Sequence, residues 1–162
     1  MSRSNRSSIF EKQRLEPGQV RAVANRRMQD VNVLMSRKRT NAAMYFGGFV
    51  IECLLKAKLL EKYAWLRRHY DPSQLARNDL ELHRLCYKEH NLEGLMIRLS
   101  ELMNKLARDD QNTGRINNGY LRILQRIAAD WTIFARYSPK VASCSDARDF
   151  VEKVKEIREC LK

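Results

Sequence analysis

Turn-forming residues are scarce in this chain. Only 6 Gly and 3 Pro occur in 162 residues, whereas hydrophobic residues make up 44% and charged residues 31%. This composition, rich in Leu, Arg, Lys and Glu, predicts an all-α domain rather than a strand-rich one. The length suits one domain, large enough for a core that needs neither a metal ion nor disulfides.

Secretory and disulfide signals are also missing. The four cysteines form no CxxC pair, and the opening residues, MSRSNRSSIFEKQR, are polar and basic rather than a hydrophobic leader. Free thiols in a reducing compartment are the simplest interpretation. We expect a cytoplasmic protein with a flexible basic arm at residues 1–16 and a single helical domain at residues 17–162.

Metal-binding and phosphate-loop motifs are absent from the sequence. The 3 histidines, His69, His83 and His90, stand in no HExxH pattern or His/Cys ligand spacing, and neither GxxxxGK[ST] nor GxGxxG occurs. We therefore expect no metal site and no cofactor.

The most apolar run, Ala42–Leu60, is unsuited to a membrane span. Glu52, Lys56 and Lys58 interrupt it, and its uncharged part is about half of the roughly 20 residues that a span needs. The run is instead expected to form a core helix. No association with a membrane is predicted.

Positive charge is the property that the chain has in excess. The formal net charge is +12 and the isoelectric point is near 9.9, which favours polyanionic partners such as RNA, a nucleotide or an acidic protein. One face of the first predicted helix and its end carry six of the cations. They are Arg21, Arg26, Arg27, Arg37, Lys38 and Arg39.

Apolar residues recur at helical spacing in five segments, four of them long. The simplest packing is an all-α, up-and-down bundle of four to five helices. The first helix is predicted to begin at Pro17, the second after a cap at Thr40 or Asn41, the third after His90 and the fourth at Tyr120. A short last helix is predicted to follow a cap at Ser143 or Ser145.

Two segments between these helices carry weaker patterns. The second helix is expected to reach about His69 and to be followed by a loop at Tyr70–Asp79, where Asp71-Pro72 is a turn signal. The pattern over Leu80–Glu89 is ambiguous. The fourth helix is expected to end near Tyr137, ahead of Ser138-Pro139.

The second helix contains two unusual features. Gly47 and Gly48 lie in its interior, where each costs about 1 kcal/mol relative to Ala, and close approach of a neighbouring helix is a reason to keep them. Glu52 and Lys56 stand four residues apart, so they face each other across one turn and are predicted to pair. A buried structural pair and a functional pair are both compatible with this spacing.

Arg77 with His83 and Arg84 with His90 share the spacing Arg-x5-His. A guanidinium and an imidazole are the minimum set for metal-free RNA cleavage, because one holds the phosphate and the other moves a proton near neutral pH. The alternative for His90 is a structural role near the start of the third helix. The spacing alone leaves both open.

Three ordered motifs resemble the landmarks of HEPN-type domains: GGFVIECLLKA, then HNLEGLM, then W-x4-R-Y-S-P, within roughly residues 20–160. This resemblance implies a four- or five-helix bundle, often a two-fold dimer. It also implies either a metal-independent ribonuclease of a toxin–antitoxin or defence system, or a non-catalytic RNA- or nucleotide-binding partner. A nucleotidyltransferase-like partner protein is implied in the same way.

The sequence departs from the catalytic pattern of that family. Catalytic members carry Arg-x4–6-His at the helix end that corresponds to Arg136, but no histidine follows Arg136 at that spacing. His90, Arg84 and Arg136 are the catalytic candidates, and Tyr137 is a binding candidate together with Glu52, Lys56 and the cations above. Three interpretations stay open: His90 acts from another helix, the motif has moved to Arg84 and His90, or the chain does not cleave RNA.

A homodimer is also predicted from the apolar pattern. Val33, Ile123 and Ile133 extend beyond the narrow core stripes of the first and fourth helices. Surplus apolar surface of this kind favours a symmetric contact between two copies.

Overall fold

The computed structural model describes residues 15–68, 72–109, 122–123, 125–127 and 141–161. Within these ranges the chain is helical and contains no strand, which confirms the all-α class. Residues 1–14 of the predicted arm lie outside the described residues, as do Trp131, Ile133, Arg136 and Tyr137.

The first helix, α1, spans Pro17–Ser36 and has proline in its first turn, where the missing N–H costs nothing. Its predicted apolar face is confirmed at the buried positions Val20, Ala24, Met28 and Val31, and Pro17 is buried as well. A three-residue turn, Arg37 to Arg39, joins α1 to the next helix. Lys38 adopts φ 55° in this turn.

The second helix, α2, spans Thr40–Lys62 and packs against α1. Its predicted extension to about His69 is wrong, because Tyr63 leaves helical geometry (φ −106°, ψ 76°) and the chain tightens into a 3₁₀ turn at Ala64–Arg67 that buries Leu66. The bidentate contact of Arg21 with Glu61 joins the start of α1 to the end of α2, so the two helices are antiparallel.

The predicted caps at the start of α2 are wrong. Thr40 Oγ1 donates to the carbonyl of Ala142 over 2.8 Å, and Asn41 Oδ1 accepts from the Ala142 N–H over 2.7 Å. The two side chains therefore satisfy the backbone of a distant segment rather than the N-terminus of their own helix. Arg39, whose side chain makes no cap hydrogen bond, takes the cap position instead.

A further helix resolves the segment that the sequence left ambiguous. A 3₁₀ turn at Pro72–Gln74 lies in the predicted loop, and α3 then spans Arg77–Tyr87, with Leu82, Leu85 and Cys86 buried. The end of the predicted loop at Asp79 is therefore wrong, because Asp79 already lies in the first turn of α3. The spacing of three and one between the buried residues gives α3 a narrow apolar stripe, too short to stand out in the sequence.

The next helix, α4, spans Leu92–Asp109, as expected after His90. Glu81 on α3 pairs with Arg98 on α4, while Leu85 contacts Gly94. The earlier residue of α3 contacts the later residue of α4, and the later residue of α3 contacts the earlier residue of α4, so the two helices are antiparallel. Residues 122–123 and 125–127 are also helical, with Ile127 buried and Ile123 half-buried against the core.

The last helix, α5, spans Cys144–Cys160 and is capped by Ser143, one of the two predicted caps. Asp146 completes a capping box with Ser143. The expectation of a short helix is wrong, because α5 has 17 residues with buried positions along its whole length. It runs in the same direction as α2, which packs against α1, α3, α4 and α5 and is the central helix of the described residues.

The close approach predicted at the paired glycines is found at Gly47. A methyl group added there would lie 2.9 Å from Phe150 Cε1 and 3.4 Å from Val154 Cγ2, both on α5. Gly48 is buried beside it. Glycine at position 47 therefore lets α2 and α5 pack side by side.

We expect Gly47→Leu to lower the free energy of unfolding by about 1–3 kcal/mol, because the new side chain overfills the α2–α5 contact. Urea unfolding followed by far-UV circular dichroism measures this loss. Gly18→Leu is the matched control, since nothing lies within 4 Å of a methyl group added at Gly18. Equal stability of the two variants would contradict a tight crossing at Gly47.

Candidate functional site

A buried ion pair lies in the middle of α2. Lys56 Nζ is 2.7 Å from Glu52 Oε1, and only 3% of the Glu52 side chain is exposed. The pairing predicted from their four-residue spacing is confirmed. A buried carboxylate is costly without compensation, and the Lys56 ammonium supplies that compensation.

His90 reaches the same carboxylate from the α3–α4 connection. Its Nδ1 lies 2.9 Å from Glu52 Oε1 and 3.2 Å from Oε2, and Lys56 Nζ donates to the carbonyl of Glu89 over 3.0 Å. We call Glu52, Lys56 and His90 the α2–His90 cluster. It ties the connection between α3 and α4 to the centre of α2.

Local sequence explains why His90 stands in this position. Lys88 ends α3, and Asn91 caps α4 by accepting from the Gly94 N–H over 2.8 Å. A capping residue has non-helical backbone geometry, so the residue before it is free to turn away from the helix. His90 lies there, outside both helices, next to α2.

The geometry fixes the tautomer of the imidazole. An ionised carboxylate only accepts hydrogen bonds, so Nδ1 of His90 carries the proton and donates to Glu52. In the neutral ring, Nε2 is then the proton acceptor. The ring also meets Phe49 edge-on, with centroids 5.4 Å apart, and 60% of the side chain remains exposed. An oriented and accessible imidazole is suited to general acid–base chemistry.

Arg84 lies beside the same connection. Its guanidinium is 3.0 Å from Glu89 Oε1, its carbonyl accepts from the Glu89 N–H over 3.0 Å, and 60% of its side chain is exposed. The two residues of this Arg-x5-His spacing therefore lie at the two ends of one short segment, Arg84 in the last turn of α3 and His90 after the helix. An exposed guanidinium there can bind a phosphate group.

The other Arg-His pair is organised differently. His83 stacks on Tyr87 with centroids 4.8 Å apart, and its buried Nδ1 has no hydrogen-bond partner. Burial, followed by the charge of Lys88, lowers the pKa of His83. Arg77 lies at the first turn of α3, six residues away, where the helical repeat puts it on a different face.

The predicted basic residues are on the surface. Arg26, Arg37, Lys38 and Arg39 are exposed, the last three as consecutive residues around the α1–α2 turn. Arg27 pairs with Asp30 over 3.0 Å, and its guanidinium carbon lies 5.4 Å from the centroid of the Phe46 ring. Arg21 differs because it is committed to Glu61 and is only partly exposed.

The cysteines do not join this site as nucleophiles. Burial raises the pKa of the Cys53 thiol to about 11 and that of the Cys86 thiol to about 12, and a thiol rather than a thiolate is a poor nucleophile. Cys144 and Cys160 are exposed and free. The described residues include no group of three or more His, Cys, Asp or Glu arranged to hold a metal ion.

None of the described helices is long and apolar enough to span a membrane.

Two contributors to the site were not predicted from the sequence. Phe49 packs against His90, and a standard capping position at Asn91 places the imidazole. The Asn–Leu step before an apolar helix is a recognisable capping signal, whereas nothing in the sequence indicates the Phe49 contact. Arg136 and Tyr137 lie outside the described residues, so their roles remain predictions.

Comparison with known proteins identifies no relative: no family model, no curated protein and no solved structure matches this chain.

Proposed function

We propose that this chain is a HEPN-type protein that acts on RNA without a metal ion, as an endoribonuclease of a toxin–antitoxin or defence system. The observation that carries the proposal is the imidazole of His90, which Glu52 orients and which is 60% exposed, directly after Glu89, the residue that Arg84 contacts. The net charge of +12 and the three motifs of the sequence support the same class of ligand.

The chemistry that this geometry supports is an internal transfer at the RNA backbone. Nε2 of His90 accepts the proton of a ribose 2′-hydroxyl, whose oxygen attacks the adjacent phosphorus atom. The bond from phosphorus to the 5′-oxygen of the next nucleotide breaks, and that oxygen takes up a proton from water while His90 returns its proton to solvent, which leaves a cyclic phosphate and a free 5′-hydroxyl. Arg84 neutralises the phosphate charge that increases during the attack. Glu52 stabilises the imidazolium while the proton is held.

The second candidate function is RNA or nucleotide binding without cleavage. It is favoured by the structural role of the α2–His90 cluster, since Glu52 and Lys56 each form a hydrogen bond with a residue of the α3–α4 connection. Those contacts hold the bundle together whether or not a proton is ever transferred. In that case the exposed cations at Arg37, Lys38 and Arg39 are the binding surface.

A homodimer remains part of the proposal. Val33 on α1 is 60% exposed, as expected for a residue at a contact between two copies. Ile123 is instead half-buried and packs against the core, so it contributes less surface than its sequence position suggested. A nucleotidyltransferase-like partner protein is proposed from the motifs alone.

The wild-type chain is expected to cleave total RNA in the presence of EDTA, because the proposed mechanism uses only side chains. Denaturing gel electrophoresis of the RNA is the measurement. Cleavage that EDTA abolishes would contradict a metal-free mechanism. Intact RNA together with measurable RNA binding would favour the second candidate.

RNA affinity is expected to fall steeply as salt rises, since each neutralised phosphate releases counterions. Replacing Arg37, Lys38 and Arg39 with glutamine is expected to reduce the slope of log affinity against log salt, by about 0.7 for each phosphate of a single strand that is no longer neutralised. Fluorescence anisotropy at several salt concentrations measures the slope. A control that replaces Lys153 and Lys155 on α5 with glutamine removes two half-buried cations outside the turn, of which Lys155 pairs with Glu152, and its change in slope is compared per charge removed. An equal change in both variants would remove the α1–α2 turn from the binding surface.

A further inference from the structure

A row of ring and guanidinium contacts connects α1 to the imidazole of His90. The guanidinium carbon of Arg27 lies 5.4 Å from the centroid of the Phe46 ring. The ring centroids of Phe46 and Phe49 are 6.5 Å apart, and those of Phe49 and His90 are 5.4 Å apart. We call Arg27, Phe46, Phe49 and His90 the aromatic strip. It crosses three segments of the fold and ends at the candidate catalytic group.

The burial of the strip differs from that of the core. Val50, Leu54 and Leu55, farther along α2, are almost completely buried, whereas Phe46 packs against the core but is only half-buried. Arg27 keeps 47% of its side chain exposed. A partly exposed ring under a guanidinium is therefore available at the α1 end of the strip.

The charge at this end suits a polyanion. Arg26 is exposed next to Arg27, and the exposed cations Arg37, Lys38 and Arg39 follow at the end of the same helix. Asp30 is the one opposing charge in contact with Arg27 among the described residues. Because exposed ion pairs of this kind contribute little, a phosphate group can replace the Asp30 carboxylate at a low energetic cost.

Aromatic rings interleaved with arginine are the features that proteins use to bind unpaired bases. Every base has a π-face that stacks on a phenyl ring or a guanidinium plane, whereas the bases of a duplex are already stacked and covered. A surface that offers only charge binds single strands and duplexes through their phosphates. The strip thus adds a preference for unpaired bases over duplexes, which charge alone does not supply.

We propose that Phe46 and Arg27 form a stacking site for an unpaired nucleobase, which directs single-stranded RNA along the aromatic strip toward His90. This inference rests on the proposed function and names the form of RNA that the same site selects. A base seated on Phe46 places its neighbouring nucleotides between the basic end of α1 and the imidazole.

The test compares three probes by fluorescence anisotropy with the full chain, all with 2′-O-methyl ribose so that the proposed attack of the 2′-hydroxyl cannot cleave them: a short unstructured RNA, the same strand annealed to its complement, and the same strand carrying abasic positions. The wild-type chain is expected to bind the unstructured RNA more tightly than either other probe. Phe46→Leu keeps an apolar side chain but removes the π-face, and is expected to weaken binding of the unstructured RNA about fivefold or more. Phe46→Tyr keeps the ring and is expected to bind like the wild type.

Each other outcome decides against the proposal. Equal affinity of the wild-type chain for unstructured and abasic RNA would show that phosphates alone are bound, which overturns the stacking site and leaves the proposed function standing. Absence of RNA binding and cleavage would overturn both. A change of molar mass in Phe46→Leu by light scattering, with unchanged RNA affinity, would assign Phe46 to a contact between copies. The abasic comparison uses the wild-type chain, so it decides even where a Phe46 variant fails to fold.

Discussion

Replacing Glu52 with alanine is expected to lower the free energy of unfolding by about 3–5 kcal/mol, because it leaves the buried Lys56 ammonium without its counter-charge. The carboxylate also accepts from His90, so the substitution releases the α3–α4 connection at the same time. Urea unfolding followed by far-UV circular dichroism measures the loss. Among the described residues, Glu52 and Lys56 are the charged residues that are buried.

Glu61→Ala is the matched control for this experiment. Glu61 also pairs with a cation, and the hydrogen bond from Arg21 lowers the pKa of its carboxyl group, but Glu61 is exposed and Arg21 partly so. Such pairs contribute about 0–1 kcal/mol. The double variant Glu52→Leu, Lys56→Met removes both charges and is expected to recover most of the stability that Glu52→Ala removes. If Glu52→Ala is no less stable than Glu61→Ala, the buried pair does not have the energetic role assigned to it.

The features of α2 that could be predicted from the sequence are local. The ion pair follows from a four-residue spacing inside an apolar run, and the central position of the helix follows from the length of that run. The capping box of α5 is equally local, since Ser143 and Asp146 are three residues apart. Periodicity and spacing determine such features before any tertiary contact forms.

The features that escaped prediction depend on contacts between distant residues. His90 meets Glu52 across 38 positions, and Thr40 meets Ala142 across 102. Thr40 and Asn41 have the chemistry of helix caps, and only the location of Ala142 diverts them to another backbone. In the same way, the early end of α2 reflects the burial of Leu66, which a pattern of apolar residues alone does not distinguish from a longer helix.

The candidate site combines both kinds of information. Charge and motif resemblance suggested RNA and selected His90 and Arg84, but the spacing of Arg84 and His90 is common in a chain with 31 Lys and Arg. What the fold adds is the carboxylate of Glu52 on α2, which orients the imidazole of His90 in the α3–α4 connection. A histidine with a fixed tautomer is a stronger candidate for acid–base chemistry than a histidine chosen by spacing alone.

His90→Ala is expected to reduce RNA cleavage by about 10²–10⁴-fold, the usual contribution of a general acid–base group. The melting temperature is expected to change far less than in Glu52→Ala, because 60% of the His90 side chain is exposed and Lys56 still compensates Glu52. Initial rates of cleavage of a labelled RNA in EDTA, together with a thermal melt, provide the two measurements.

His83→Ala is the matched control, since it removes an imidazole that stacks on Tyr87 outside the α2–His90 cluster. His83→Ala is expected to cleave RNA at close to the wild-type rate as long as it remains folded. Glu52→Gln, which retains the shape of the carboxylate but not its charge, is expected to be slower than wild type, because Gln stabilises the imidazolium less well. Wild-type rates in both His90→Ala and Glu52→Gln would remove the cluster from the chemistry, and Arg136 would then become the residue to test.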